Sequence, residues 1–257
     1  MVTSDLPYRI QTTAGHRKYL CSGIYMPSVT TVLSATESEK SKAGLKNWQK
    51  NNPGALEAAS TRGSAIHLGC ENYLRGLDPE VPEDYLDFWN GMSTYLDWFD
   101  TIHWSERPLR PDWNHLRSED REVAFVWSTE HKYAGCPDLI GEIGGVRIIA
   151  DFKTSNAPYC ASFPDRGDRI GFGGYRKYTK CAQQMAAYRY ALNERTGFLC
   201  DAALIIVSTP EITQGIFIDG DQLALHESRF LKRCQQFHEI DNETTDCSTQ
   251  ELQKQAE

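Results

Sequence analysis

Residues 137–153 read PDLIGEIGGVRIIADFK, and this stretch decides the fold because it predicts a β-hairpin. Two β-prone runs flank Gly144 and Gly145, and a tight two-residue turn favours glycine because both turn positions need positive φ. Such a turn fixes the register of the two strands and sets Glu142 opposite Arg147. The opposite charges of these two side chains support the register.

The same register places two acidic residues face to face. Asp138 lies opposite Asp151, where Cβ atoms are typically about 4.5–5.5 Å apart and like charges destabilise the pair. A cation between the carboxylates would remove this repulsion. Lys153, two residues after Asp151, points to the same face of the strand. The alternative interpretation is a surface hairpin with ordinary scattered charges.

Two carboxylates and a lysine in this arrangement suit the hydrolysis of a phosphodiester. The carboxylates would hold a hard divalent ion that also contacts a phosphate oxygen, and we expect this cofactor to be Mg²⁺ or Mn²⁺. The ion would lower the pKa of a bound water, while the ammonium group of Lys153 orients that water or offsets developing charge. The hairpin therefore indicates Asp138, Asp151 and Lys153 as catalytic residues.

Three motifs, in order along the chain, resemble those of one nuclease superfamily. Asp138 after a proline, twelve further residues and then Asp151-Phe152-Lys153 resemble the PD-(D/E)xK signature. Residues 63–67 (GSAIH) and residues 184–188 (QMAAY) are similar to motifs of its RecB-like exonuclease branch. The segment 26–33 (MPSVTTVL) resembles the opening of phage exonucleases and of the mitochondrial genome maintenance exonuclease of this branch. The resemblance covers roughly residues 25–220.

The resemblance implies a metal role for a histidine on a predicted helix. His67 would bind the ion together with Asp138 and Asp151, since neutral imidazole can complete the coordination of a divalent ion. Gly63 precedes it by one turn, which would permit a close approach of the helix, and Glu71 follows one turn later. The alternative for His67 is a packed or surface residue, which a lone histidine in a helix usually is. Glu71 could serve the metal site or be a solvated helix charge.

The resemblance also implies roles for residues that flank the hairpin. The carbonyl of Phe152 would join the metal ligands, and Gln184 and Tyr188 would contact substrate. These last two residues lie one helical turn apart, so a plain helix face with an amphipathic tyrosine is the alternative. Glu122 precedes the hairpin, but its orientation cannot be read from the sequence and we leave it outside the site.

We therefore expect an α/β fold: a restriction-endonuclease-like mixed β-sheet flanked by helices, with a helical N-terminal part. A single nuclease domain would occupy residues 1–241, with a mainly helical part at 22–106 and a catalytic core at 119–220. A polar tail would follow at 242–257. The expected function is metal-dependent exonucleolytic cleavage of DNA that has a free end and a single-stranded part, in phage-type replication, recombination or degradation.

Two alternatives stay open. One is a structure-specific or restriction-type endonuclease of the same superfamily, and the other is a catalytically silent module that binds DNA ends. The presence of every expected catalytic residue argues against the silent module. The long helical N-terminal half, which could form an arch over a single strand, favours an exonuclease over an endonuclease.

Composition limits the other possibilities. The net charge of −8 argues against a protein that coats nucleic acid nonspecifically, but leaves room for a local basic channel. Eight cysteines are spread without a Cys-x-x-Cys pair, so we expect no iron–sulfur cluster and no structural zinc. No apolar run has the length of a membrane span and the N-terminus does not resemble a signal peptide, which favours a soluble, cytoplasmic protein, in the host cytoplasm if phage-encoded.

One segment concentrates basic and aromatic side chains. Residues 156–177 are rich in glycine, arginine and tyrosine and predict a loop, before a helix over 180–195. Elsewhere we predict a helix over 83–101, a loop around 107–111 and a final helix over 221–240. The basic residues in and beside the predicted loop could hold a DNA strand, with the interleaved aromatic rings stacking on bases. These basic residues are Arg166, Arg169, Arg176, Lys177 and Lys180.

Overall fold

A computed structural model of the chain describes residues 7–11, 17–118 and 123–254, so Glu122 lies outside the described residues. The helices are α1 (Val29–Ala35), α2 (Glu39–Asn51), α3 (Ala55–Leu74), α4 (Leu86–Leu96), α5 (Arg169–Thr196) and α6 (Gly220–Lys254). Short 3₁₀ helices cover Glu83–Tyr85 and Pro111–Leu116. Within the described ranges, every helix is too short or too polar to cross a membrane.

Eleven strands are present in the described residues. They are β1 (Tyr8–Gln11), β2 (Arg17–Cys21), β3 (Ile24–Pro27), β4 (Thr101–Ser105), β5 (Arg107–Pro108), β6 (Val126–Ser128), β7 (Tyr133–Gly135), β8 (Leu139–Ile143), β9 (Val146–Thr154), β10 (Ala202–Ser208) and β11 (Thr213–Ile218). Six of them form the central sheet in the order β11-β10-β9-β8-β4-β5, while β1-β2-β3 and β6-β7 form two smaller sheets.

The central sheet is mixed. Strands β9 and β10 run parallel and are joined through α5, as a parallel connection requires, whereas the other neighbouring pairs are antiparallel. Helices α1 to α4 precede the sheet's first strand in the chain. The predicted α/β class is confirmed, with a mixed sheet flanked by helices and a helical N-terminal part.

The predicted hairpin is confirmed in its register. Glu142 pairs with Arg147 across β8 and β9, and the turn residues Gly144 and Gly145 have φ of 56° and 79°. The charges of the pair have other partners, however. Arg147 bonds the carboxylate of Asp201 at 3.1 Å, and Glu142 accepts from His103 at 2.9 Å. The turn geometry, rather than this charge pair, therefore accounts for the register.

Alternate residues of β9 enter two different hydrophobic clusters. Ile148, Ala150 and Phe152 pack with side chains of α3 and α4 on one face of the sheet. Ile149 belongs to the cluster on the other face, which includes α5 and α6. Because side chains alternate along a strand, Asp151 points to the same face as Ile149, towards α5.

Three predicted element bounds are wrong. Helix α5 begins at Arg169, so the last nine residues of the predicted loop 156–177 are helical. Helix α6 continues to Lys254, beyond the predicted end at residue 240. The predicted helix over 83–101 ends at Leu96, and β4 follows it as an inner strand of the sheet. The capping Asp168 side chain, which accepts from the Gly171 N–H at 2.8 Å, explains the early start of α5.

Candidate active site

The open end of the hairpin holds one predicted aspartate. Asp138 immediately precedes β8 and is only 8% exposed. Its Oδ2 accepts a hydrogen bond from the backbone N–H of Phe152 at 2.8 Å, and its backbone carbonyl accepts from the N–H of Glu106 at 2.9 Å. The Oδ2 atom thus attaches Asp138 to β9, and Oδ1 remains available to contact His67 or a metal ion.

Helix α3 brings His67 to this aspartate. The imidazole Nδ1 lies 3.7 Å from Asp138 Oδ1 and 3.4 Å from Glu106 Oε1, while Nε2 is 2.9 Å from the carbonyl oxygen of Phe152. Burial alone would lower the pKa of His67. The charge of Asp138 and the hydrogen bond to Glu106 outweigh burial and raise the pKa to about 9.

His67, Glu106 and Asp138 form a cluster that could hold a metal ion. Each offers one ligand atom, and these three atoms lie within 4.8 Å of one another. An imidazole and two carboxylates are donors that suit a divalent cation. Burial, reinforced by the neighbouring Glu106 charge, raises the pKa of Asp138 despite the opposing charges of His67 and Lys153. A cation would relieve this crowding of carboxylates.

Glu106 is the residue of this cluster that sequence reasoning missed. It forms the one-residue turn between β4 and β5, with a φ of 55° that is uncommon for a residue other than glycine. The signal in the sequence is a β-prone run, Thr101–Ser105, that ends just before it. The predicted helix over 83–101 overlaps the start of that run, and the pairing of the run with β8 lies too far along the chain to be read locally.

The second predicted aspartate forms an ion pair with the predicted lysine. Asp151 is fully buried, and its Oδ2 contacts the ammonium group of Lys153. Burial raises the pKa of Asp151 to about 6, with a further contribution from Asp138, although Lys153 opposes the rise. Burial also opposes the charge of Lys153, but attraction to Asp151 holds the pKa of Lys153 well above its usual value.

Helix α5 brings the two predicted substrate residues to Asp151. Gln184 Nε2 lies 3.2 Å from Asp151 Oδ1 and 3.2 Å from the hydroxyl oxygen of Tyr188. The ring of Tyr188 passes so close to Gly135 of β7 that a Cβ at this position would collide with it. Glycine at 135 therefore allows Tyr188 to reach the site.

A cavity of about 380 Å³ opens above these groups. It is lined by His67, Glu106, Asp138, Lys153, Gln184 and Tyr188, among others. Ser28 and Thr30, at the start of α1, contribute hydroxyl groups to the same wall. The structure thus gathers the predicted residues at one end of the sheet, with Asp151 buried beneath the cavity rather than within the three-residue cluster.

The structure bears on two supporting details of the sequence interpretation. Glu71 of α3 forms an ion pair with Arg75, directly after the end of the helix, so it is a paired helix charge rather than a solvated one. A Cβ at Gly63 would meet Thr154 Oγ1 at 3.9 Å, an ordinary van der Waals distance. A close approach therefore does not explain the glycine at 63.

Comparisons with known proteins give distant likenesses. No protein-family model matches the chain, and no curated protein matches it. A crystal structure of a candidate exonuclease from Eubacterium rectale is similar, with 13% sequence identity, a TM-score of 0.38 and 68% coverage of each chain. The crystal structure of the protein SSO0001 has 16% identity, a TM-score of 0.24 and 41% coverage of each chain. Neither likeness bears on what this chain does.

Proposed function

We propose that the chain is a divalent-metal-dependent DNA exonuclease that hydrolyses phosphodiester bonds at DNA ends. The observation that carries the proposal is the convergence of His67, Glu106 and Asp138 beside the buried ion pair of Asp151 with Lys153. Metal ligands and the ammonium group of Lys153 within one cavity suit a reaction in which negative charge develops on phosphate oxygens.

The donor set fits Mg²⁺ or Mn²⁺. Glu106 and Asp138 supply the oxygen donors that these ions prefer, and His67 supplies a nitrogen. The Phe152 carbonyl accepts from His67 Nε2 at 2.9 Å, so it would have to release this bond to join them. We propose Asp151 as a further ligand, through the oxygen that now contacts Lys153. That role requires the lysine ammonium group to move off this oxygen when the ion binds.

The residues around the ion would have separate tasks. A bound divalent ion would polarise the phosphate and lower the pKa of a water molecule. Lys153 holds a positive charge at the cavity wall, where it can orient the attacking water or offset charge on the phosphate. The Gln184 amide and the Tyr188 hydroxyl, linked to each other at 3.2 Å, would position the substrate strand.

One assay tests this function. The protein is incubated with end-labelled linear and with circular DNA, single- and double-stranded, in Mg²⁺, Mn²⁺ or EDTA. We expect degradation of linear DNA that EDTA abolishes. Nicking of circles would replace the exonuclease with an endonuclease, and binding without cleavage would show a silent module.

Variants of the two aspartates test whether cleavage in this assay depends on the candidate site. Asp138→Asn and Asp151→Asn should each reduce cleavage by orders of magnitude. Glu142→Gln is the matched control, because Glu142 lies on β8 of the same hairpin but bonds His103 instead of the cluster. Near-normal cleavage by either aspartate variant at saturating Mg²⁺ would refute the assignment.

A further inference from the structure

A second cavity, of about 660 Å³, lies between the start of α2 and the first half of α5. We call it the α2–α5 groove. Among the described residues, its lining carries five basic side chains and one acid, Glu37. The basic residues are Lys40 of α2, Arg176, Lys177 and Lys180 of α5, and Arg233 of α6.

Positive charge in the groove exceeds what Glu37 can neutralise. Lys180 Nζ lies 2.9 Å from one Glu37 oxygen, and Arg176 lies 3.8 Å from the other. Arg233 donates to neutral oxygens, those of Thr36, Gln183 and the backbone. One carboxylate therefore faces three cations, which favours the binding of an additional anionic group.

Aromatic rings accompany these cations. Phe172, about half exposed, and Tyr175 also line the groove. Phe172 and Tyr175 both pack edge-on against Phe163, which holds them in place without covering the Phe172 ring. A positively charged groove with aromatic side chains has the composition of sites that hold single-stranded nucleic acid.

The groove and the candidate active site lie next to each other along α5. Lys180 precedes Gln184 by one helical turn, and Arg176 by two, which places them about 6 and 12 Å away along the helix axis. Lys177 donates to the Ser155 hydroxyl at 2.9 Å, and Ser155 follows Lys153 by two residues. Helix α1 also relates the two cavities, because Thr30 near its start lines the candidate active site and Thr36, directly after its end, lines the groove.

We propose that the α2–α5 groove binds the phosphate backbone of a single DNA strand whose end lies in the active site. This inference rests on the proposed nuclease function. At about 3.4 Å per stacked nucleotide, Lys180 and Arg176 contact phosphates two to four nucleotides from the bond that is cleaved. In the free protein Glu37 forms ion pairs with Arg176 and Lys180, and DNA phosphate replaces its carboxylate when the strand binds.

Binding without cleavage gives the first test. Labelled single-stranded oligonucleotide is titrated in EDTA over a range of salt concentrations, against wild type and Arg176→Ala/Lys180→Ala. Removing one cation that binds a phosphate should flatten the slope of log K against log salt by about 0.7, so we expect a change of about 1.4 for the double variant. The control Arg229→Ala/Lys232→Ala removes the same charge from positions on α6 outside the groove lining and should bind as wild type.

Glu37→Gln tests the groove from the opposite direction. Removing the competing carboxylate should tighten oligonucleotide binding, and Glu39→Gln, on α2 but outside the groove lining, should not. Equal effects of the two variants would mean that only overall charge matters. Unchanged binding by Arg176→Ala/Lys180→Ala at every salt concentration would overturn the proposal. It would also be overturned if inorganic phosphate competed for the groove as well as unlabelled oligonucleotide does, because the groove would then be a site for any anion.

Substrate length separates the groove from the chemistry. The groove variant should cleave a small chromogenic phosphodiester, which reaches only the active site, at the wild-type rate, and should show a raised KM on longer single strands. An equal loss on both substrates would refute the groove. If neither substrate is cleaved by wild type, the nuclease proposal fails while the oligonucleotide titration still decides whether the groove binds DNA.

Discussion

At the scale of single residues, we expect the Asp151–Lys153 pair to contribute both to stability and to the proposed cleavage. Asp151 is fully buried, so its charge depends on the adjacent ammonium group. Removing one partner of a buried ion pair typically costs about 3–5 kcal/mol, because the other charge is left uncompensated. The pair should therefore matter to the free energy of unfolding as well as to cleavage.

Lys153→Ala should reduce both stability and cleavage, whereas a double variant should restore stability alone. We expect Lys153→Ala to lower the free energy of unfolding in urea and to slow cleavage by about 10²–10³-fold, as for loss of one charge-stabilising group. Asp151→Asn/Lys153→Met removes both charges and should regain stability but not activity. Wild-type stability and cleavage in Lys153→Ala would contradict the pairing.

A buried histidine away from the site should govern part of the acid sensitivity. His226 is 5% exposed, packs edge-on against Tyr178, and burial lowers its pKa to about 4 from 6.5. The unfolded chain therefore binds a proton here more readily than the folded chain between these values, so stability falls as pH drops from about 6.5 to 4.

His226→Phe should lose this dependence. We expect the urea midpoint of wild type to decrease more steeply than that of His226→Phe between pH 6.5 and 4, with parallel behaviour above pH 7. The exposed His115→Gln serves as the control. Identical pH profiles for wild type and His226→Phe would show that His226 titrates normally in the folded protein.

At the scale of elements, local signals can be read from the sequence and distant pairings cannot. The hairpin is predictable because a two-glycine turn sets its register within a few residues. The start of α5 cannot be predicted in this way, because the glycines in its first turns suggest a loop. Gly174 instead lets the helix pack closely on the backbone of Pro158 and Tyr159, a tertiary effect that overrides helix propensity.

Helix α2 should be the least protected of the long helices. None of its 13 residues is buried, and Gly44 lies near its middle with open space around the position of a Cβ. Isolated helices of about 12–15 residues are marginal in water. We expect fast amide hydrogen exchange in α2, slow exchange in α5, and slower exchange in α2 after Gly44→Ala, which favours the helix by about 1 kcal/mol. Protection of α2 equal to that of α5 would contradict this expectation.

At the scale of the whole molecule, the candidate active site joins elements far apart in the sequence. His67 comes from α3, Glu106 from the β4–β5 turn, Asp138 and Lys153 from the hairpin, and Gln184 from α5. The two-glycine turn and the alternation of side chains along a strand identify the hairpin residues. The resemblance to a nuclease branch points to His67 and Gln184. Glu106 can be assigned to the site only when the strand order is known, because the β4–β8 pairing brings it to Asp138.

The metal dependence of cleavage tests the central claim most directly. Cleavage of end-labelled linear DNA is measured against Mn²⁺ concentration for wild type, Glu106→Gln and the control Glu142→Gln. We expect wild type and Glu142→Gln to saturate at the same Mn²⁺ concentration, and Glu106→Gln to require far more Mn²⁺ or to be inactive. Cleavage that persists in EDTA, or the same Mn²⁺ dependence for Glu106→Gln as for wild type, would contradict the claim that His67, Glu106 and Asp138 hold the catalytic ion.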